Sequence, residues 1–137
     1  MKKQKHNLVI ECAKMWPREV FDIKNGKDLL INKQKILNKS GVYVLYQGNQ
    51  PYYIGKATKS LYKRLHDHAN KTTDRYFNLW NYFSAFVVDG KNIDAIEGLL
   101  IAAIPTANGA IPKIQAIPMS KTIREKLRQA RQNQFDN

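Results

Sequence analysis

Residues 41–68, GVYVLYQGNQPYYIGKATKSLYKRLHDH, constrain this chain more than any other stretch. Residues 41–46 are β-branched and aromatic, Gly48-Asn49-Gln50 is a turn signal, and residues 51–55 form a second extended run. Together they predict an antiparallel hairpin. A helix follows at once, because Thr58 or Ser60 can cap it and Leu61 and Leu65 stand one turn apart on a face able to pack under the hairpin. Arg64 and His68 share that spacing on the neighbouring face, close enough to address one phosphate together. Tyr43, Tyr46 and Tyr53, with Lys56 just past the second strand, are expected to converge on the same place. Such a cluster suits phosphodiester chemistry.

Charge narrows the partners. Lys and Arg number 23 against 11 acids, giving a net charge of +12 and an isoelectric point near 9.9. Nucleic acid is therefore the first expected partner. A basic membrane-surface protein is the competing reading, but the cations are spread along the chain rather than gathered beside an exposed Trp/Leu face. The longest apolar run, residues 99–104, falls far short of the ~20 residues that span a bilayer. The amino terminus has too short an apolar run for a signal peptide, and the single cysteine, Cys12, forms no internal disulfide, so a reducing cytoplasm fits. A chain of 137 residues, 43% hydrophobic and 25% charged, has the size and balance of one globular domain.

Before the hairpin, Leu8, Val9 and Ile10 suit a short strand and Pro17 the start of a turn or helix. Leu29, Leu30, Ile36 and Leu37 suggest an amphipathic helix ending before Gly41. After the first helix, residues 70–74 read as a polar loop and residues 76–80 as a turn or short helix. Residues 82–88 are β-rich and end at Asp89-Gly90, so they predict a third strand beside the hairpin. The aromatic residues here read first as core, with Tyr76 and Trp80 kept as candidates for contacts. Residues 93–104 are apolar almost all the way round, as in a helix buried against a sheet, and Pro105 stops it. Glu97 is the anomaly in that helix. Either it completes a capping box with Asn92 or Asp94, or it meets a cation. Asn108-Gly109 is by itself an ordinary turn signal.

From Ser120 a last helix is expected, with Ile123, Leu127 and Ala130 as a narrow apolar stripe that docks on the domain. Lys121, Arg124, Arg128 and Arg131 form an outward stripe beside it, which locally reads equally as a solvated face or a phosphate contact.

Gly41-Val42-Tyr43, then Tyr53-Ile54-Gly55, then Arg64 and His68 resemble the signature of the GIY-YIG nuclease superfamily, which includes homing endonucleases, certain restriction enzymes and repair incision subunits. Val42 replaces the family's Ile. The resemblance reaches Glu97 and Asn108 and covers residues 41–112, with residues 1–40 as an N-terminal extension packing on the core and residues 113–137 as a basic C-terminal helix and tail. It implies an α+β fold with a small central three-stranded antiparallel sheet flanked by helices. It also implies a divalent-metal-dependent endonuclease acting on DNA, with DNA ahead of RNA as substrate. On this resemblance Glu97 is the protein ligand of Mg²⁺ or Mn²⁺ and Asn108 lines the site. Arg64 then stabilises developing negative charge, Tyr43 and His68 compete for the role of general base, and Tyr53 orients water or the phosphate. Lys56, Lys59, Lys63, Arg124, Arg128 and Arg131 are expected to hold the nucleic-acid backbone.

A phenol titrates near 10 in water, so Tyr43 needs a cation nearby to serve as a base, and Lys56, Arg64 and His68 are the candidates. His66 and His68 point about 200° apart on a helix and cannot easily share one metal, which removes a zinc reading. Two rival functions remain, a non-catalytic nucleic-acid-binding module that kept the fold and a basic RNA-associated structural protein. Retention of the chemically needed side chains argues against both. No long second segment offers a separate recognition domain, so target choice is open.

Overall fold

In the computed structural model, which describes residues 8–29, 31, 35–106 and 114–135, the chain runs β1 (Cys12–Pro17), β2 (Lys24–Asn25), β3 (Asp28–Leu29), β4 (Gly41–Gln47), β5 (Gln50–Ala57), α1 (Leu61–Asn70), β6 (Tyr82–Val87), α2 (Ile93–Ala103) and α3 (Lys121–Phe135). The hairpin β4–β5 turns at Gly48, whose φ of +60° is a conformation glycine adopts without strain. Ser60 caps α1 by accepting the Lys63 N–H at 3.3 Å.

The main sheet has four strands in the order β1-β6-β4-β5, all antiparallel, where the sequence suggested three. The extra strand comes from the N-terminal extension. It lies at Cys12–Pro17 and not at Leu8–Ile10, where Leu8 and Ile10 stay exposed. Its pattern does not alternate because a bulge sets Lys14 and Met15 against Ser84, with Met15 at φ +54° and its N–H donated to the Ser84 hydroxyl at 3.0 Å. The amphipathic helix expected over residues 29–37 is absent among the described residues. A short hairpin, β2–β3, and a 3₁₀ turn at Lys35–Asn38 stand there instead.

Both faces of the sheet are covered, which explains why β4 reads as an almost unbroken apolar run. On one face Tyr43, Leu45, Phe83, Ala85 and Val87 meet Leu61, Leu65 and Ala69 of α1, with Phe21, Ile31 and Leu37 closing the edge. Leu61 and Leu65 are fully buried, each contributing about 2 kcal/mol of transfer free energy. On the other face Val42, Val44 and Ile54 meet Ile93, Ile96, Leu100 and Ile101 of α2. Although α2 is apolar all round, only one side of it is covered, and Leu99 is 56% exposed. No helix among the described residues is long and apolar enough to cross a membrane.

Candidate active site

Strand alternation decides which tyrosines meet. Tyr43 pairs with Gly55 and Leu45 with Tyr53, so the Tyr43 and Tyr53 rings lie on the same face, 6.0 Å apart. Tyr46 stands three residues beyond Tyr43 and falls on the opposite face, against the α2 cluster, so it does not join the site as expected. Gly55 makes room for the phenol: a Cβ there would stand 2.5 Å from the Tyr43 hydroxyl and 2.7 Å from Cε2 of Tyr53. Gly55→Ala should therefore cost about 1–3 kcal/mol in a denaturant melt and displace Tyr43. Wild-type stability in that variant would show that the ring has space to move.

Helix α1 brings up the other half. His68, 3% exposed, has its Nε2 at 2.8 Å from the Tyr43 hydroxyl and its Nδ1 at 2.9 Å from Asp74 Oδ1. The same Asp74 oxygen accepts the Tyr76 N–H at 2.8 Å, and the Tyr76 ring stacks on Tyr53 at 4.4 Å. Trp80, buried, donates its indole N–H to the His68 carbonyl at 3.4 Å. Arg18 holds the end of α1, donating to the Ala69 carbonyl at 2.6 Å and to the Trp80 carbonyl at 3.4 Å. Sequence reasoning missed Asp74 and Arg18. An aspartate two residues before the N–H it accepts is the signature of an Asx turn, so Asp74 had a signal; Arg18 had none.

Arg64 and Tyr53 stand close enough to the Tyr43 hydroxyl to act on its charge. Burial drives the Tyr43 pKa well above the usual phenol value and the Tyr53 hydroxyl adds to the rise, while Arg64 opposes both without overcoming them. Tyr53 is raised too, again chiefly by burial and then by Tyr76. The cation expected to help Tyr43 is thus present and outweighed by desolvation.

Beside this buried cluster lies an open cleft of about 370 Å³, lined by Tyr53, Lys56, Ala57, Thr58, Arg64 and Glu97. A second hollow of about 240 Å³ shares Ala57, Thr58 and Arg64 and adds Lys59, Lys63 and Asp67. Lys56 is paired with Asp94 at 2.6 Å, and that hydrogen bond is the main reason its pKa is raised. Helix α2 starts at Ile93, which places Asp94 inside it, and Asn92 makes no side-chain cap bond. Asn108 lies outside the described residues.

Residues 39–99 match the family described as the GIY-YIG catalytic domain. This segment belongs to the GIY-YIG family. Solved structures similar to the chain include the GIY-YIG N-terminal endonuclease domain of UvrC from Thermotoga maritima bound to its catalytic divalent cation, magnesium, at 27% identity over 57% of this chain and 94% of that one, with a TM-score of 0.46. Two point mutants of the same UvrC domain, each bound to its catalytic divalent cation, match at 27% and 26% identity, over 57% of this chain and 93% of theirs, with TM-scores of 0.47 and 0.46. No curated protein matches the chain.

The GIY-YIG segment contains Tyr43, Tyr53, Lys56, Arg64, His68, Asp74 and Glu97, whereas Arg18 reaches in from outside it. Its Val42 is fully buried in the sheet, where an isoleucine differs only by a methylene. Arg124, Arg128 and Arg131 are not gathered with the cleft residues. Ser120 caps their helix, accepting the Ile123 N–H at 3.3 Å, and the described side chains of α3 are all exposed. Ile123 and Leu127, expected to dock, are 52% and 39% exposed, because a stripe three residues long buries too little to offset its ordering.

Proposed function

We propose that this chain is a divalent-metal-dependent endonuclease that hydrolyses DNA phosphodiester bonds in the cleft bounded by β5, α1 and α2. One observation carries the reading: Tyr53, Lys56, Arg64 and Glu97 line a single cleft with Tyr43 and His68 hydrogen-bonded behind it, all within the GIY-YIG segment. The net charge of +12 suits a polyanion. We also propose a cytoplasmic setting, where the lone Cys12 stays reduced.

Among the described residues no group of three His, Cys, Asp or Glu side chains could hold a metal by itself. A carboxylate such as Glu97 at the cleft wall fits Mg²⁺ or Mn²⁺, which keep several waters and take further oxygens from substrate phosphate. Glu97 would hold the cation, whose chemistry when bound is to polarise the phosphate and offset charge on the leaving oxygen. Arg64 donates to a non-bridging oxygen from another wall. Asn108 is proposed to line the same site.

The proton route follows from burial. Tyr43 is 0% exposed and its raised pKa keeps it neutral at pH 7, so it cannot wait as a free phenolate. It can accept a proton only by passing its own along, and His68 Nε2 stands 2.8 Å away to receive it. Tyr53 lines the cleft with its ring beside that of Tyr43, so the water proton would enter at Tyr53 and end on His68, with the tyrosines as conduit.

Lys56, Lys59 and Lys63 around the two hollows, and Arg124, Arg128 and Arg131 on α3, would follow the nucleic-acid backbone. Changing the three arginines to glutamine, which keeps helix propensity, should weaken DNA binding and shallow the slope of log affinity against log salt by roughly 2.7. A titration showing the same slope would make α3 a solvated helix. The reading as a whole is tested by incubating supercoiled plasmid with the protein and Mg²⁺, Mn²⁺ or EDTA. Metal-dependent nicking is expected; binding without nicking in any metal would leave a nucleic-acid-binding module.

A further inference from the structure

We infer that Asp74 is a positioning residue that fixes which nitrogen of His68 carries the proton, leaving Nε2 free to accept from Tyr43. The inference deepens the proton route proposed above and rests on it for its catalytic consequence. A carboxylate oxygen can only accept, so the 2.9 Å contact to Asp74 Oδ1 requires a proton on His68 Nδ1. Nε2 then presents a lone pair, and Tyr43 donates to it across 2.8 Å. In the opposite tautomer Nε2–H would point at the phenol oxygen, Nδ1 would face a carboxylate lone pair, and the Tyr43 proton would have no acceptor. His68 is 3% exposed, so water does not supply the missing bond.

Asp74 is itself held in place. The Tyr76 N–H binds the same oxygen at 2.8 Å, and Arg18 pins the two ends of the loop through the Ala69 and Trp80 carbonyls while its guanidinium lies over the Phe77 and Trp80 rings. The other titratable groups around His68 are the phenols of Tyr43 from β4, Tyr53 from β5 and Tyr76 from the loop, with Arg64 one turn earlier on α1. Asp74 is thus the carboxylate that opposes the imidazolium formed when Tyr43 gives up its proton.

Carboxylate, imidazole and hydroxyl in a line is also the order of a hydrolase triad, where the hydroxyl attacks. Here it does not, because Tyr43 is fully buried and cannot reach phosphorus. Instead water loses one proton to the tyrosine pair as the Tyr43 proton moves to Nε2. The water oxygen bonds to phosphorus, the bond to the leaving oxygen breaks, and that oxygen takes its proton from solvent.

The test is a long-range ¹H–¹⁵N spectrum of the imidazoles in the full chain, assigned with a His68→Gln sample and recorded with the ring neutral. His68 should carry its proton on Nδ1, and in Asp74→Ala the proton should shift to Nε2. Cleavage by Asp74→Ala should fall about 10²-fold while plasmid binding stays unchanged. A wild-type His68 protonated on Nε2 overturns the inference with no variant needed, as does an Nδ1 proton that survives in Asp74→Ala. If the wild-type protein nicks nothing, the nuclease reading fails by itself, since the tautomer is read without substrate.

Discussion

Replacing Glu97 with alanine is expected to reduce cleavage by about 10³-fold or more while DNA binding at low salt persists or tightens. Glu97 lines the cleft from α2, and removing it deletes the proposed cation ligand together with a negative charge close to where phosphate would lie. The net charge of +12 rises by one, which favours a polyanion. Folding should survive, since alanine is the better helix former. Single-turnover nicking beside a thermal melt separates the two effects. A folded variant that cuts at the wild-type rate would return Glu97 to a purely structural role.

Arg64→Lys should keep the fold and the charge yet lose about 10²- to 10³-fold in the chemical step. Arg64 stands on the wall shared by both hollows, close enough to the Tyr43 hydroxyl to favour its charged form. A planar guanidinium can address that phenol and a phosphate oxygen together, whereas an ammonium is a point charge that serves one at a time. The loss has a second source. Arg64 acts against the burial that raises the Tyr43 pKa, so weakening it leaves the phenol harder to deprotonate. Binding and its salt dependence should change little, because the charge is retained. Equal activity in the lysine variant would reduce Arg64 to a generic cation.

Much of the scaffold was legible because it follows local rules. The Gly48 turn, the Ser60 cap, the Leu61–Leu65 face and the third strand each announce themselves by spacing or turn chemistry. The spacing of Arg64 and His68 likewise places them on one side of α1, as read. Strand β1 was hidden because its bulge and the positive φ of Met15 break the alternation by which strands are recognised. Period two could have excluded Tyr46 from the site, since three residues along a strand reverse the face. Asp74 was not legible as a partner of His68, because that contact depends on how the loop after α1 folds back. The balance at Tyr43 was not legible either: the sequence supplies the cation, but only packing shows that desolvation outweighs it.

The central claim is that this cleft grips a phosphodiester and a divalent cation together. Crystals of Tyr43→Phe, chosen to slow cutting, grown with a DNA duplex and Mn²⁺ test it through the anomalous signal of manganese. The account predicts one Mn²⁺ peak at about 2.0–2.3 Å from a Glu97 carboxylate oxygen, shared with a phosphate oxygen that also meets the Arg64 guanidinium. Duplex bound elsewhere, or manganese bound away from Glu97 with this cleft empty, would contradict it.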